Sequence, residues 1–399
     1  HGYVKWANRK CEFLLREIEI FSSLGLLLND KCSYPSEDLD KLWKLVLLNQ
    51  FHDVLPGTSI EHVYTDVREH YKHVLDRGNA VLSGSLASLA AEKSEGVTVS
   101  NTLSWDRKEV IECPSLSDAV QKSRTGTSLA IVSACGMGFT AQKDVDQTPQ
   151  ASICIEGDLV TMENSILKAT FDTSGLLKSL LHKPTGHETI EQGKSGNQFV
   201  IFEDIPFFWD AWDVMIYHLK KRKTVPCSVK AKIVESGPLR VAFEVSYKIS
   251  EKSFIKQVIS MTAISELVTF ENEVEWHENR KFLKVEFPTN VRSDYATYSI
   301  QYGQIARPTR GNTSWDIAKF EVCGHHWANI QEYGFGVALL NDSKYGYGVA
   351  NSLMRLSLLR APKAPDANAD MGHHSFKYAL MPHNGNLNDA GVIQRGYDF

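Results

Sequence analysis

The spacing of apolar residues changes once along this chain, and that change divides what it can fold into. Up to about residue 91 they recur every three or four positions. Beyond Lys93-Ser94-Glu95-Gly96 they alternate with polar residues, as in VTVSNTL and LRVAFEVSYKI. A period of 3.6 buries one stripe of a helix, and a period of two buries one face of a strand. Both periods in separate blocks predict an α+β multidomain fold with the helices first.

The first block, residues 1–93, reads as three helices. Leu14, Ile18, Phe21, Gly25 and Leu28 share one face over residues 3–28, with the charges of NRKCEFLLRE on the other. Leu39, Leu42, Trp43, Val46 and Leu47 mark the second helix. Ser36 is placed to cap it, with Glu37 and Asp38 in its electropositive first turn. Pro56-Gly57 stops it, and Ser59 is placed to cap the third. That helix carries Ile60, Val63, Tyr64, Val67, Tyr71 and Val74 and runs to about Ala91. Short connections make the three an antiparallel bundle. Residues 94–150 read as a small β domain or linker. Residues 151–399 read as a large antiparallel β-sandwich, with a hairpin around Asp172-Thr173-Ser174-Gly175.

The stretch NQFHDVLPGTSI, residues 49–60, joins the second and third helices. The line Leu42, Leu45, Asn49 extends to His52, so an apolar face turns polar as it leaves the core. A neutral imidazole there suits a metal, and the carboxylate of Asp53 suits a sugar hydroxyl. The same residues also suit a core histidine with Asp53 closing the helix end. One ligand is not a metal site, which takes three or four.

Other clusters leave alternatives open. FFWDAWDVMIYH, residues 207–218, is either a loop that brings Asp210 or Asp213 and a Trp to a sugar, or a sandwich edge with core indoles. His62, Asp66, Glu69, His70 and His73, three and four residues apart on the third helix, form either a surface metal site or, on the weightier reading, a solvated polar face. His325-His326 and His373-His374 are adjacent pairs, which on a strand point to opposite faces. Arg360 is either a pocket residue or the partner of Asp366 or Asp370.

Composition narrows the function classes. The formal charge of -5 gives no electrostatic case for nucleic acid or an anionic membrane, and no apolar run spans a bilayer. Seven cysteines without a C-x-x-C pair favour reduced thiols and a cytoplasmic setting. Two N-x-S triplets, at Asn312 and Asn341, are what chance supplies at this length. A first residue of His implies processing or a piece of something longer.

NQFHDVLPGTSI resembles the helical-domain signature of family 38 glycoside hydrolases, the class II α-mannosidases. WDAWDV, WHENRKFLKVEFP, RPTRGNTSWD, FGVALLNDSKYG, LSLLRAPKAPDA and FKYALMPH resemble the cytosolic branch and follow the family's order along nearly the whole chain. Gly311 departs from that branch, which has a larger residue there. The resemblance implies that His52 ligates a catalytic zinc (cobalt is associated with this branch as well) and that Asp53 contacts the bound mannose. It also places Arg360 in a block that reaches the substrate pocket. It implies a retaining hydrolysis of α-mannose from free oligomannose glycans in the cytoplasm, by a protein able to form homo-oligomers.

Retention needs two neighbouring carboxylates. In this family both are Asp residues of an N-terminal α/β domain that also holds an H-x-D zinc pair. None of the fourteen His here has Asp two positions on. No catalytic residue is therefore expected in this chain; nucleophile and acid/base are expected upstream, and the chain alone is expected to be inactive. The family also runs on past DAGVIQ, so an unpaired sheet edge and low solubility are expected. The competing readings are a non-catalytic carbohydrate-binding module and a regulatory fragment.

Overall fold

The computed structural model describes residues 1–28, 32–89, 97–114, 119–142 and 149–399. Three long helices lead: α1 (Gly2–Leu28), α2 (Ser36–Asn49) and α3 (Glu61–Leu89). Val4, Ala7, Cys11, Leu14, Leu15 and Ile18 of α1 pack on Leu39, Leu42 and Val46 of α2 and on Tyr64, Val67, Tyr71 and Val74 of α3. Most of the apolar stripes read from the sequence are therefore the bundle's core, although Leu28, Leu47 and Ile60 face outward. Gly78 lets α1 and α3 close: a Cβ there would sit 2.7 Å from Leu14 Cδ2. Residues 90 and 91 lie outside the described residues.

Neither expected serine cap forms. Ser36 is the first residue of α2, whose N-cap position is taken by Pro35 without a side-chain hydrogen bond. α3 begins at Glu61, so Ser59 lies one position too early to cap it, and its hydroxyl donates instead to the Asp53 carbonyl within the turn at 2.8 Å.

Two small antiparallel pairs follow, Val97–Asn101 with Gly138–Gln142 and Arg107–Glu112 with Leu129–Ala134. The seam at residues 93–96 lies outside the described residues.

From Ser152 onward the described chain forms three antiparallel sheets of nine, six and five strands. The nine-stranded sheet is centred on Val268–Trp276 and Gly372–Asn384. The six-stranded sheet is centred on Lys281–Pro288 and Leu353–Arg360. All three share one core, in which Phe171, Phe199, Phe243, Phe270, Phe287 and Tyr378 are fully buried. Alternation puts these residues on the inner faces, while central strands such as Lys281–Pro288 and Phe335–Asn341 are buried on both faces, with Lys284 and Asn341 inside. The expected hairpin forms between Leu167–Asp172 and Leu177–His182. Asp172 Oδ1 accepts from the amides of Ser174 and Leu176, and Gly175 takes φ +81°, a left-handed conformation that costs glycine little.

The bundle docks on the sandwich along α1. Arg9, buried, donates to the Asn341 carbonyl at 3.0 Å and lies over the Tyr345 ring at 5.1 Å. Phe13 stacks on His326 at 5.9 Å, and Arg16 reaches the Thr102 carbonyl at 2.6 Å. A C-terminal helix, Val392–Asp398, packs Val392 against Trp327, Leu340 and Met381.

Candidate functional site

The stretch after α2 is a tight turn. The helix stops at Asn49, and the amides of Val54 and Leu55 fold back to the Phe51 carbonyl at 2.8 and 3.1 Å. Pro56 has no N–H to offer a carbonyl one turn back, so the helix cannot run through it. Gly57 takes φ +103°. The Asp53 carbonyl is the knot of the turn. It accepts from the Thr58 amide at 3.0 Å, Ser59 Oγ at 2.8 Å and Tyr64 Oη at 3.3 Å. Asp53 Oδ1 takes the Thr58 hydroxyl at 2.9 Å.

His52 is therefore not a core histidine. Its side chain is 72% exposed, with Nε2 3.4 Å from Asp53 Oδ2. The helix ends before the apolar line reaches it. Its ring lies 4.3 Å from that of Phe51, itself exposed.

The aromatic-acidic stretch forms a loop off the six-stranded sheet, and its indoles are not core. Trp209 is 76% exposed and Trp212 64%. Arg360 holds the loop from beneath. Its Nε donates to Asp204 Oδ2 at 2.7 Å, and its Nη2 donates to the carbonyls of Asp210 at 3.1 Å and Asp213 at 2.8 Å. The guanidinium also lies over the Phe282 ring at 5.4 Å. The Asp210 carboxylate is committed to the Lys363 amide at 3.1 Å and Arg280 at 3.3 Å. Arg360 thus pairs with Asp204, not with Asp366 or Asp370. Asp204 and Arg280 were missed by sequence reasoning, and no local pattern would have found them. Trp209 adopts φ +59°, a strained conformation for so large a residue.

Turn and loop meet at one cavity of about 1220 Å³ between the bundle and the sandwich. Leu55, Pro56 and Thr58 line it from the turn, Ala211 and Trp212 from the loop, with Arg360 between. His52 and Asp53 lie between the lining residues Gln50 and Leu55 but do not themselves line the cavity. Asn8, Glu12 and Gln50 add a polar wall: Gln50 Nε2 donates to Asn8 Oδ1 at 3.0 Å and to Glu12 Oε1 at 2.7 Å. Burial raises the Glu12 carboxyl above its usual range. Lys5 closes the corner, donating to the Leu55 carbonyl at 3.0 Å. Lys344 also lines the cavity; burial lowers its ammonium to about 8, against the pull of Asp370 and Asp342.

The remaining histidines stay apart. His325 stacks on Tyr345 while His326 lies against Phe13 and Tyr397. His373 bridges Glu273 and Glu275 on the surface, and His374 meets the Asp370 carbonyl. On α3, His62, Asp66, Glu69 and His73 are exposed, and His70 faces Asn49 Oδ1 at 3.3 Å.

No group of three His, Cys, Asp or Glu among the described residues is arranged to hold a metal ion. The residues at this turn do not by themselves fit a catalytic zinc; the exposed His52 imidazole could supply one corner of one. Among the described residues no helix is long and apolar enough to cross a membrane.

Residues 162–368 match the glycosyl hydrolases family 38 C-terminal domain, and residues 1–89 match the alpha mannosidase middle domain. The chain belongs to glycosyl hydrolase family 38. Over its whole length it is 45% identical to Alpha-mannosidase 2C1 of Homo sapiens, of which it covers 38%. It is 38% identical to Alpha-mannosidase of Saccharomyces cerevisiae, with 98% of this chain and 35% of that protein aligned. The fold matches a crystal structure of an alpha-mannosidase from Enterococcus faecalis with a TM-score of 0.75 at 16% identity, over all of this chain and 56% of that one. The chain thus spans well under half the length of the two named relatives.

Proposed function

We propose that these residues are the helical and β portions of a metal-dependent, retaining α-mannosidase that removes terminal mannose from free oligomannose glycans in the cytoplasm. The observation that carries the reading is the convergence of turn and loop on one cavity in a chain of this family. His52 is offered as one ligand to a zinc or cobalt ion whose other ligands these residues do not supply. Asp53 and Arg360 belong to the substrate side. The two carboxylates that retention requires are contributed from outside these residues, so the 399-residue chain alone is inactive.

The test is hydrolysis of an aryl α-mannoside, with and without added zinc or cobalt, by the purified chain and by the complete polypeptide that contains it. Activity confined to the complete polypeptide, and lost in His52→Ala, is expected. Metal-dependent turnover by the 399 residues that disappears in His52→Ala sinks this division of labour. The second reading, a non-catalytic carbohydrate-binding module, draws on the exposed Trp209 and Trp212. It requires mannoside binding that survives chelation in a complete polypeptide without turnover.

A further inference from the structure

The mannosidase reading leaves the size of the ligand and the purpose of the loop unassigned. A volume of about 1220 Å³ exceeds the roughly 300–1,000 Å³ of ordinary small-molecule sites, and one hexose would leave most of it to water. The walls differ in character. One side carries the amides and carboxyl of Asn8, Gln50 and Glu12. Glu12 Oε1 takes both local donors, and Oε2 accepts from none of the described side chains. The other side carries the indole of Trp212, with no hydrogen-bond partner for its Nε1 among the described residues. A pyranose has the matching asymmetry: a C–H face that lies on an indole and a rim of hydroxyls that seek amides and carboxylates.

The loop is also rigid in a way that a mere covering segment has no need to be. Three hydrogen bonds from one guanidinium fix a carboxylate and two carbonyls at once. Asp204, at 3% exposure, serves as the counter-ion. Arg360 donors engaged in this way hold the indole's backbone in place.

We propose that the cavity receives an oligosaccharide, with Trp212 as the stacking platform for a sugar beyond the one cleaved and Arg360 as the positioning residue that sets it. Trp212 is then a specificity determinant. It favours mannose chains over mannosides with a small leaving group. This rests on the mannosidase reading for the identity of the sugar.

Two measurements test it. In the complete polypeptide, Trp212→Ala should lower kcat/KM for an α-linked mannotriose about tenfold more than for an aryl α-mannoside. Trp212→Phe should restore most of the difference. Arg360→Lys keeps a charge for Asp204 but cannot reach both carbonyls, so it should shift the same ratio in the same direction with a smaller fall in Tm than Arg360→Ala. Equal losses on both substrates, or a fall in Tm in Trp212→Ala, overturn the proposal; the second result means that Trp212 is covered by more of the polypeptide instead. In the 399-residue chain, mannotriose should quench tryptophan fluorescence, and Trp212→Ala should abolish the change. Equal quenching in both overturns the platform without reference to turnover. A complete polypeptide inactive on both substrates, with the platform's quenching intact, defeats the mannosidase reading and not this one.

Discussion

The turn after α2 and the loop beneath Trp212 meet at the same cavity but are built in opposite ways. In the turn the backbone is tied down, through the Asp53 carbonyl, and the side chain of His52 is left free in solvent. At the loop the carboxylates of Asp204 and Asp210 are spent on Arg360, Arg280 and an amide, and the indoles of Trp209 and Trp212 are left free. A free imidazole beside a carboxylate offers coordination; a free indole offers surface. The contrast shows that an Asp in such a motif, as Asp210 here, does not have to be the group presented. Which groups a site displays depends on which ones its own scaffold consumes.

The contrast is most easily broken at the base of the loop. Arg360→Ala leaves the buried Asp204 without its counter-ion, and losing one partner of a buried pair costs about 3–5 kcal/mol. Urea denaturation of the chain should show that loss; a change below about 1 kcal/mol would mean that the loop does not depend on the pair.

A second expectation concerns the joint that brings the two regions together. Burial, then the charge of Arg9, lowers His326 to about 3 and His325 to about 4. In the unfolded chain both titrate near 6.5. The unfolded state therefore takes up protons first as pH falls below 6.5, and stability present above that value is lost on the way down to about 4 and 3. The slope should be of order 1 kcal/mol per pH unit for each imidazole. Tm measured from pH 7 to 5 should fall less steeply in His326→Gln; parallel curves would place the acid sensitivity elsewhere.

The smallest effects belong to the turn. Tyr64→Phe removes a hydroxyl that donates to the Asp53 carbonyl and accepts from the Ser59 amide, for about 1 kcal/mol. His52→Ala should change stability by less than about 0.5 kcal/mol, because the ring is largely exposed and meets Phe51 and the Asp53 carboxylate at the surface. A larger loss would show His52 to be structural and would sharpen the comparison in the opposite sense.

Much of this was legible in the order of residues. The stripes through Leu14, Leu42 and Tyr71 became the bundle core because helical period and burial are the same fact. The hairpin at Asp172–Gly175 followed from turn chemistry that acts within four residues. The two serine caps failed because α3 begins at Glu61, one position beyond where Ser59 could cap it, and α2 begins at Ser36 itself. The bracing of the loop was out of reach. Arg360 and Asp204 are 156 positions apart, and no local pattern records which distant carboxylate a guanidinium will meet. The family blocks singled out His52, Asp53 and Arg360 as candidates, but not what each one touches.

The docking of α1 carries a consequence for synthesis. Arg9 finds its carbonyl on Asn341, 332 residues later. The three helices form from neighbouring sequence and can assemble early, yet the face that meets the sandwich has nothing to meet until most of the β strands exist. At roughly 5–20 residues per second the ribosome needs on the order of half a minute to supply them. For that interval the nascent bundle exposes Arg9 and Phe13 to solvent or to whatever chaperone attends it. Folding of this polypeptide is therefore expected to be limited by the late closure of its first helix on its last sheet.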